Sequence, residues 1–241
     1  MKKLLTLTFL LLLFTAHSQD SILIKSKVAN AIGELREFVA IPNDALNADD
    51  IDSNLFWLRK KFTERGFNST ILETEGLPLF FAALPMDDNK PTILFYMHLD
   101  GQSVDATKWD QVDPYKVVLK SKTEDDWKTE SFSELNDDIN YDWRLFGRST
   151  SDDKGPIIMF LNAIDALKKD AIDIPFNVKV ILDSEEEKSS APLPQAVRTY
   201  KDLLKADFLV INDGPVHVSG KPTIVYGCRG ITTLSLRKLR S

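Results

Sequence analysis

The sequence lacks a second cysteine, so Cys228 cannot form a disulfide within the chain. It also lacks an excess of basic charge, because its 36 acidic residues against 30 basic ones give a formal net charge of -6 at pH 7. This balance disfavours nucleic acid as the main partner, because phosphate binding requires clustered basic side chains. The remaining composition, with 43% hydrophobic and 27% charged residues, is that of one globular domain, or of one domain and part of another.

The N-terminus has the pattern of a cleaved secretory signal peptide. A basic start at residues 2–3 precedes an apolar core over residues 4–14, and small residues lie around Ser18. Such a short core cannot serve as a stable membrane anchor, and no cysteine at the cleavage position could carry a lipid. We therefore expect a periplasmic or secreted protein that has no membrane contact after cleavage.

Apolar periodicity and turn residues predict helices alternating with strands. Helices are expected over residues 20–39, 47–65, 156–169 and 193–204, and strands over 69–73, 79–84, 92–97, 176–182, 206–211, 223–227 and 231–236, with weaker strands at 115–120 and 143–146. This alternation predicts an α/β fold with a mostly parallel central sheet and helices on both faces. The acidic segment 121–142 is interpreted as a solvated surface excursion, because it lacks the spacing of a calcium-binding loop.

His98 and Asp100 close the buried strand predicted at 92–97. In an extended chain, positions i and i+2 point the same way, so the two side chains should converge. A histidine that binds a metal is usually oriented by a neighbouring acid, and Asp100 is placed for that role. The simpler interpretation of this pair alone is a surface histidine beside an Asp-Gly turn.

Three acidic groups follow along the chain, and each has a simpler interpretation too. Asp152-Asp153 precedes a predicted helix and could be a helix cap. Residues 185–187 are three glutamates that could form an exposed acidic loop. Asp213 begins an Asp-Gly turn, and His217 beyond it could be a further ligand, although a surface role is favoured.

The common placement of these groups is more informative than any one of them. In open α/β sheets, ligands bind at the carboxyl ends of the strands. His98, Glu186, Glu187 and Asp213 follow predicted strands, and Asp152 lies in the turn before a helix. One histidine and several carboxylates at a shared edge predict a metal site.

Taken in order, the groups resemble the zinc-dependent metallopeptidase family that contains carnosine dipeptidases, aminoacylases and carboxypeptidase G. The matching segments are residues 97–105, 145–156, 183–187, 212–213 and 226–230. Segment 145–156 is the most specific, and residues 102–115 are similar to the dipeptidase branch. The resemblance covers nearly the whole chain after the expected cleavage site, and it implies a zinc-exopeptidase-like catalytic domain.

The resemblance implies a set of metal ligands. His98 would bind one metal, Asp152 would bridge two metals, and Asp213 would complete the protein ligands of the first. Glu187 would bind the second metal. The implied cofactors are two divalent ions, with zinc expected and manganese or cobalt as alternatives.

The resemblance also implies catalytic roles. Glu186 would be the general base that activates the water shared by the two metals, and Asp100 would orient His98. Family members often hold the bridging aspartate in a cis peptide with its successor, which here is Asp152–Asp153.

The sequence departs from the family pattern at Ser149, where the family usually has glycine, and at Asp183-Ser184, which replaces a commoner Glu-Gly. The family inserts a lid domain after the position of Arg229-Gly230 and later supplies a histidine to the second metal. The expected organisation is a signal peptide over 1–18, a catalytic domain over 19–228, and the start of a truncated lid and dimerisation domain over 229–241. A homodimer is expected only for the full-length protein.

The expected function is hydrolysis of a peptide bond in dipeptides or small peptides, with this chain as an incomplete form of the enzyme. Two alternatives remain open. One is an N-acyl amino acid deacylase of the same family, and the other is an inactive metal-binding fragment.

Overall fold

The computed structural model describes residues 27–136, 139–214, 219, 221 and 223–227. The predicted signal peptide, His217, Cys228 and the predicted strand at 231–236 lie outside the described residues, so the domain boundaries expected at residues 18 and 228 stay predictions. Within the described part of the chain, no helix combines the length and the apolar character needed to cross a membrane.

Five α-helices are present among the described residues. They are α1 (27–39), α2 (Ala48–Glu64), α3 (Lys154–Lys169), α4 (Leu193–Thr199) and α5 (Lys201–Leu204), and short 3-10 helices lie at Ala106–Lys108, Phe132–Asn136 and Glu186–Lys188. Helix α2 begins where the sequence predicts, since the Asn47 side chain accepts the backbone N–H of Asp49. It is followed by Gly66, whose φ of 76° suits a residue just past a helix end.

Two helix predictions need correction. Helix α3 begins at Lys154, two residues before the predicted start, because Pro156 is tolerated within a first turn as well as at its first position. The single helix predicted over 193–204 is broken at Tyr200, where φ is -100° and ψ is 22°. The Tyr200 hydroxyl donates to the backbone carbonyl of Glu73 at 2.9 Å, and this bond fixes the break against the segment around Glu73.

The central sheet has five strands in the order β1-β2-β7-β3-β8. Their bounds are β1 (Asn68–Leu72), β2 (Leu79–Ala83), β3 (Thr92–His98), β7 (Asn177–Asp183) and β8 (Phe208–Ile211). Strand β3 pairs in parallel with both β7 and β8, whereas β2 pairs antiparallel with β1 and with β7. The α/β class is confirmed, and the sheet is mixed, with its parallel part at the β7-β3-β8 side.

A second sheet occupies part of the segment that we interpreted as a surface excursion. It consists of β5 (Trp127–Glu130), β4 (Val118–Lys122) and β6 (Arg144–Phe146), all antiparallel. The Trp127 ring packs edge-on against Phe146. This aromatic contact holds the acidic segment against β6, and the acidic composition of the segment did not predict it. Residues 223–227, predicted as a strand, have no regular secondary structure.

Helices cover both faces of the central sheet. On one face, the apolar sides of α1, α2 and α3 pack against Phe80, Val180 and Leu182 in the larger core cluster. On the other face, α4 and α5 contribute Ala196 and Leu204 to a smaller cluster. Strand β8 is the exception, because all four of its side chains are exposed.

Candidate metal centre

The parallel strands bring the predicted site residues to one edge of the sheet. Strand β3 lies between β7 and β8, and it ends at His98. Strand β7 ends at Asp183, just before the three glutamates, and β8 ends at Ile211, just before Asp213. His98 is therefore central, with the glutamates on one side and Asp213 on the other, at the carboxyl edge where such sheets bind ligands.

Three ligating groups converge at this edge. The His98 Nε2 atom lies 2.7 Å from Asp152 Oδ1 and 4.0 Å from Asp213 Oδ2. One ligand atom from each of the three residues falls within 4.8 Å of the others. Two carboxylates and an imidazole at these separations form a donor set suited to a divalent cation such as zinc.

The orientation of His98 is set by Asp100. The His98 Nδ1 atom lies 3.1 Å from the backbone carbonyl oxygen of Asp100 and 3.3 Å from its Oδ1. Both residues are fully buried. Burial alone would lower the pKa of His98, but the hydrogen bond to Asp100 and the charges of Asp153, Asp100 and Asp152 raise it to about 10. The ring is thus held in a strongly negative environment that favours a cation.

Asp100 also binds the segment that carries the glutamates. Its Oδ1 accepts the backbone N–H of Glu186, and its Oδ2 accepts that of Glu187, each at 3.1 Å. This contact excludes the simpler interpretation of Asp100 as a surface turn residue.

The three adjacent glutamates point to different partners. The Glu185 carboxylate is buried, accepts the backbone N–H of Leu77 at 2.7 Å and contacts Lys188, so it fixes the β1–β2 connection. Glu186 and Glu187 are half-buried. Burial, then the charges of Asp213 and Glu187 among others, raise the pKa of Glu186. A raised pKa suits a group that takes up a proton.

Asp153, which the sequence suggested only as a possible helix cap, is a residue of the site. It occupies the position before α3 but makes no side-chain cap; instead its Oδ2 accepts the backbone N–H of His98 at 3.1 Å. Burial is the main cause that raises the pKa of Asp153 to about 8. The Asp152–Asp153 peptide is cis, as the family resemblance implied. No spacing pattern connects residues 98 and 153, so the contact could be found only in the folded chain.

Glu187, the proposed ligand of a second metal, lies apart from the three-residue cluster. Its Oε2 accepts a hydrogen bond from Gln102 Nε2 at 2.9 Å. In the part of the chain that the structure describes, His98, Asp152 and Asp213 are the only group of potential ligands close enough to share an ion. The assignment of Asp152 and Glu187 to a second metal therefore stays a prediction.

A groove on the described part of the chain lies away from the metal centre. It has a volume of about 550 Å³ and lies beside α1 and α3, where Glu34, Arg65 and Asp165 line it. No residue of the metal centre lines this groove. The site is therefore assigned from its ligand geometry and its position in the sheet.

Known proteins similar to this chain include peptidases. Human Beta-Ala-His dipeptidase is 34% identical over 155 residues, which are 64% of this chain and 26% of that protein. The fission yeast Cys-Gly metallodipeptidase dug1 is 31% identical over 189 residues, which are 76% of this chain and 36% of that protein. The crystal structure of the M20 family metallo-carboxypeptidase Sso-CP2 from Sulfolobus solfataricus superposes with a TM-score of 0.63 at 26% identity, covering 80% of this chain and 39% of that one. The chain thus spans well under half the length of these relatives.

The comparisons contradict the predicted periplasmic or secreted location. The Cys-Gly metallodipeptidases of fission yeast, Candida albicans and budding yeast match this chain, and relatives of this group are cytosolic or soluble enzymes. The prediction depended on a basic start and a short apolar run, which are local features and do not by themselves establish export.

A family model that matches more than half of the chain supports the family assignment. The model of peptidase family M20/M25/M40 matches residues 94–235, which include every proposed metal ligand and Glu186. The match covers more than half of the sequence and agrees with the arrangement of His98, Asp152 and Asp213 in space. The chain belongs to peptidase family M20/M25/M40.

Proposed function

We propose that the protein to which this chain belongs is a metal-dependent hydrolase that cleaves the peptide bond of dipeptides or small peptides. The observation that supports this most directly is the cluster of His98, Asp152 and Asp213 at the carboxyl edge of the sheet. The names of the relatives, which include a Beta-Ala-His dipeptidase and a Cys-Gly metallodipeptidase, point to short peptides as the substrate class.

The residues present fit a metal ion. Ligand atoms that share a zinc ion at bond lengths of about 2.0–2.2 Å lie roughly 3–4 Å apart. The Nε2 atom of His98 has Asp152 Oδ1 at 2.7 Å and Asp213 Oδ2 at 4.0 Å, so small side-chain rotations adapt the set. We assign these three residues to the first metal, and Asp152 with Glu187 to the second. When bound, divalent ions would polarise the scissile carbonyl and lower the pKa of water.

The remaining residues have roles that follow from their contacts. Glu186 is the general base: it precedes the proposed ligand Glu187 in the chain, and burial, followed by the charges of Asp213 and Glu187, raises its pKa. Asp100 orients His98 through Nδ1, so that Nε2 faces Asp152. The same carboxylate fixes the backbone of Glu186 and therefore the position of the base.

The test is metal content and peptide hydrolysis in the longest natural protein that contains this chain. We expect bound zinc and turnover on a panel of dipeptides, which includes β-Ala-His and Cys-Gly. A Glu186→Gln change should lower kcat by about 10²- to 10⁴-fold while the metal content stays at the parent value.

The matched control is Glu185→Gln. Its amide oxygen can still accept the N–H of Leu77, so kcat should stay close to the parent value. A protein with no zinc and no turnover would sink the proposal, and so would a Glu186→Gln variant that turns over as fast as the parent.

A further inference from the structure

Asn43 is a fully buried residue in the connection between α1 and α2, and its contacts are made with the loop that carries Asp100. Its Nδ2 donates to the carbonyl oxygen of Leu99 at 2.8 Å. The backbone carbonyl oxygen of Asn43 accepts the backbone N–H of Gly101 at 2.8 Å. The residues on both sides of Asp100 are therefore bound by Asn43.

A second residue fixes the carboxamide of Asn43. The hydroxyl oxygen of Ser149 is buried and lies 3.0 Å from Asn43 Nδ2, where it accepts a hydrogen bond. Ser149 has a φ of 61°, a conformation that favours glycine. The serine thus supplies a hydroxyl at a position where the backbone alone would prefer no side chain.

Asn43, Ser149 and Gly101 are packed so closely that no side chain larger than that of glycine fits at Gly101. A Cβ atom added at Gly101 would overlap the Ser149 hydroxyl and press against the Asn43 carboxamide. Asp44 and Gly101 also form an isolated parallel β-bridge. Close packing and hydrogen bonds together restrain the backbone of the 99–101 segment.

The position of this segment matters because Asp100 contacts His98 with both its backbone and its side chain. The carbonyl oxygen and Oδ1 of Asp100 lie 3.1 and 3.3 Å from His98 Nδ1. On its other side, Asp100 accepts the N–H groups of Glu186 and Glu187. A shift of the segment would move the imidazole and the glutamates relative to each other.

We propose that Asn43 is a positioning residue of the metal centre, and that the Ser149 hydroxyl holds its carboxamide in the orientation that fixes Asp100 and, through it, the His98 ring. This inference builds on the proposed function, because it assumes that His98 binds a metal. Among the described residues, the hydrogen bonds of Asn43 to Leu99, Gly101 and Ser149 include none to His98 or to the carboxylates of the cluster.

The first experiment compares Asn43→Ala with Asn177→Ala in the longest natural protein that contains this chain. Asn177 is the matched control: it is also buried, and its Nδ2 donates to the carbonyls of Asp87 and Lys90 at the amino end of β7, opposite the site. The readouts are the Zn²⁺ dissociation constant, the visible spectrum of the Co²⁺ form and the melting temperature.

We expect Asn43→Ala to weaken Zn²⁺ binding by about 10- to 100-fold and to change the Co²⁺ spectrum, as partners that orient metal ligands do. Asn177→Ala should lower the melting temperature and leave both metal readouts at the parent values. Equal Zn²⁺ affinity and an equal Co²⁺ spectrum in Asn43→Ala and the parent would overturn the inference.

The Ser149 variants keep the test decisive if Asn43→Ala does not fold. Ser149→Ala removes only the hydroxyl, whereas Ser149→Gly removes the hydroxyl and also suits the positive φ. Both should weaken Zn²⁺ binding by roughly fivefold, the loss of one hydrogen bond, even where Ser149→Gly melts higher than the parent.

Unchanged Zn²⁺ affinity in both Ser149 variants would overturn the role of the Ser149 hydroxyl. If Asn43→Ala does not fold, the same result would also overturn the role of Asn43. A parent chain that binds no Zn²⁺ contradicts the proposed function instead, so the two failures are distinguishable.

Discussion

The Oδ2 atom of Asp100 accepts the backbone N–H of Glu187 at 3.1 Å, so the residue that orients the histidine also fixes the segment that carries the proposed base. Its Oδ1 makes the same contact with Glu186 and lies 3.3 Å from His98 Nδ1. One buried carboxylate thus sets the relative position of two strand ends. Its replacement should disturb metal binding and proton transfer together.

We predict that Asp100→Asn lowers both Zn²⁺ affinity and kcat. An amide has one oxygen, so its NH₂ group must face the backbone N–H of either Glu186 or Glu187, where the parent has an acceptor. Loss of such a partner typically costs about 10- to 100-fold in metal affinity or activity. Zinc titration and steady-state kinetics on the same preparation provide the check, and parent-like values of both would contradict the role of Asp100.

Asp213→Asn should weaken Zn²⁺ binding by at least about 10- to 100-fold, since it removes a charged ligand rather than a supporting partner. The control is Asp207→Asn, near the other end of β8, where Asp207 accepts the N–H of Thr92 and lies away from the metal cluster. Isothermal titration with Zn²⁺ separates the two variants. Equal affinities would mean that Asp213 is not a ligand.

Lys154 joins α3 to the end of α1, and its removal should destabilise the fold. Its buried Nζ donates to the carbonyls of Phe38 and Ile41 at 2.8 and 2.6 Å. Lys154→Met leaves these carbonyls without that donor, and we expect a loss of about 1–3 kcal/mol in the free energy of unfolding. Urea denaturation measures it. Lys169→Met, an exposed change in the same helix, should alter it by no more than about 0.5 kcal/mol.

Glu34 predicts a pH dependence of stability. Burial alone would raise its pKa, but hydrogen bonds and charges from Lys61 and Arg65 hold the pKa below the ordinary 4.5. A carboxylate with a depressed pKa stabilises the folded state above its unfolded pKa, and this contribution is lost as the pH falls through the folded value.

A Glu34→Gln variant should therefore unfold with about 1–3 kcal/mol less free energy than the parent at pH 7. The difference should shrink as the pH falls below 4.5, the ordinary pKa of the group. Urea melts at pH 7 and below pH 4 test this. Glu37→Gln is the control, because Glu37 is mostly exposed and 3.5 Å from Lys61. A difference that does not depend on pH would contradict the assignment.

The grouping of His98 and Asp213 could be predicted because it depends on a regular property of parallel sheets. Neighbouring parallel strands end at the same edge, so residues that follow β3 and β8 become neighbours whatever the details of packing. The roles of Asn43 and Asp153 could not be predicted in this way. Their partners are 55 or more residues away in the sequence, and only the packed loops bring them into contact.

The errors in the fold have a similar origin. Apolar periodicity located β1 and β2 but did not determine their direction, and a hairpin there makes this part of the sheet antiparallel. Strand β5 was missed because its residues are mostly polar, and its pairing with β4 supplies what the sequence pattern lacks. Tertiary contacts decide such segments more strongly than local preference does.

Strand β8 has a consequence for the way the metal centre and the sheet depend on each other. Among the described residues it is an edge strand whose four apolar side chains are 39–64% exposed, so little packing from this part of the chain holds it beyond its pairing with β3. Asp213 follows β8 by two residues, whereas His98 belongs to the interior strand β3. An ion held by both residues would fasten the edge of the sheet to its centre. Detachment of β8 and release of the ion would then be a single event, and the lifetime of the bound ion would follow how often that edge opens.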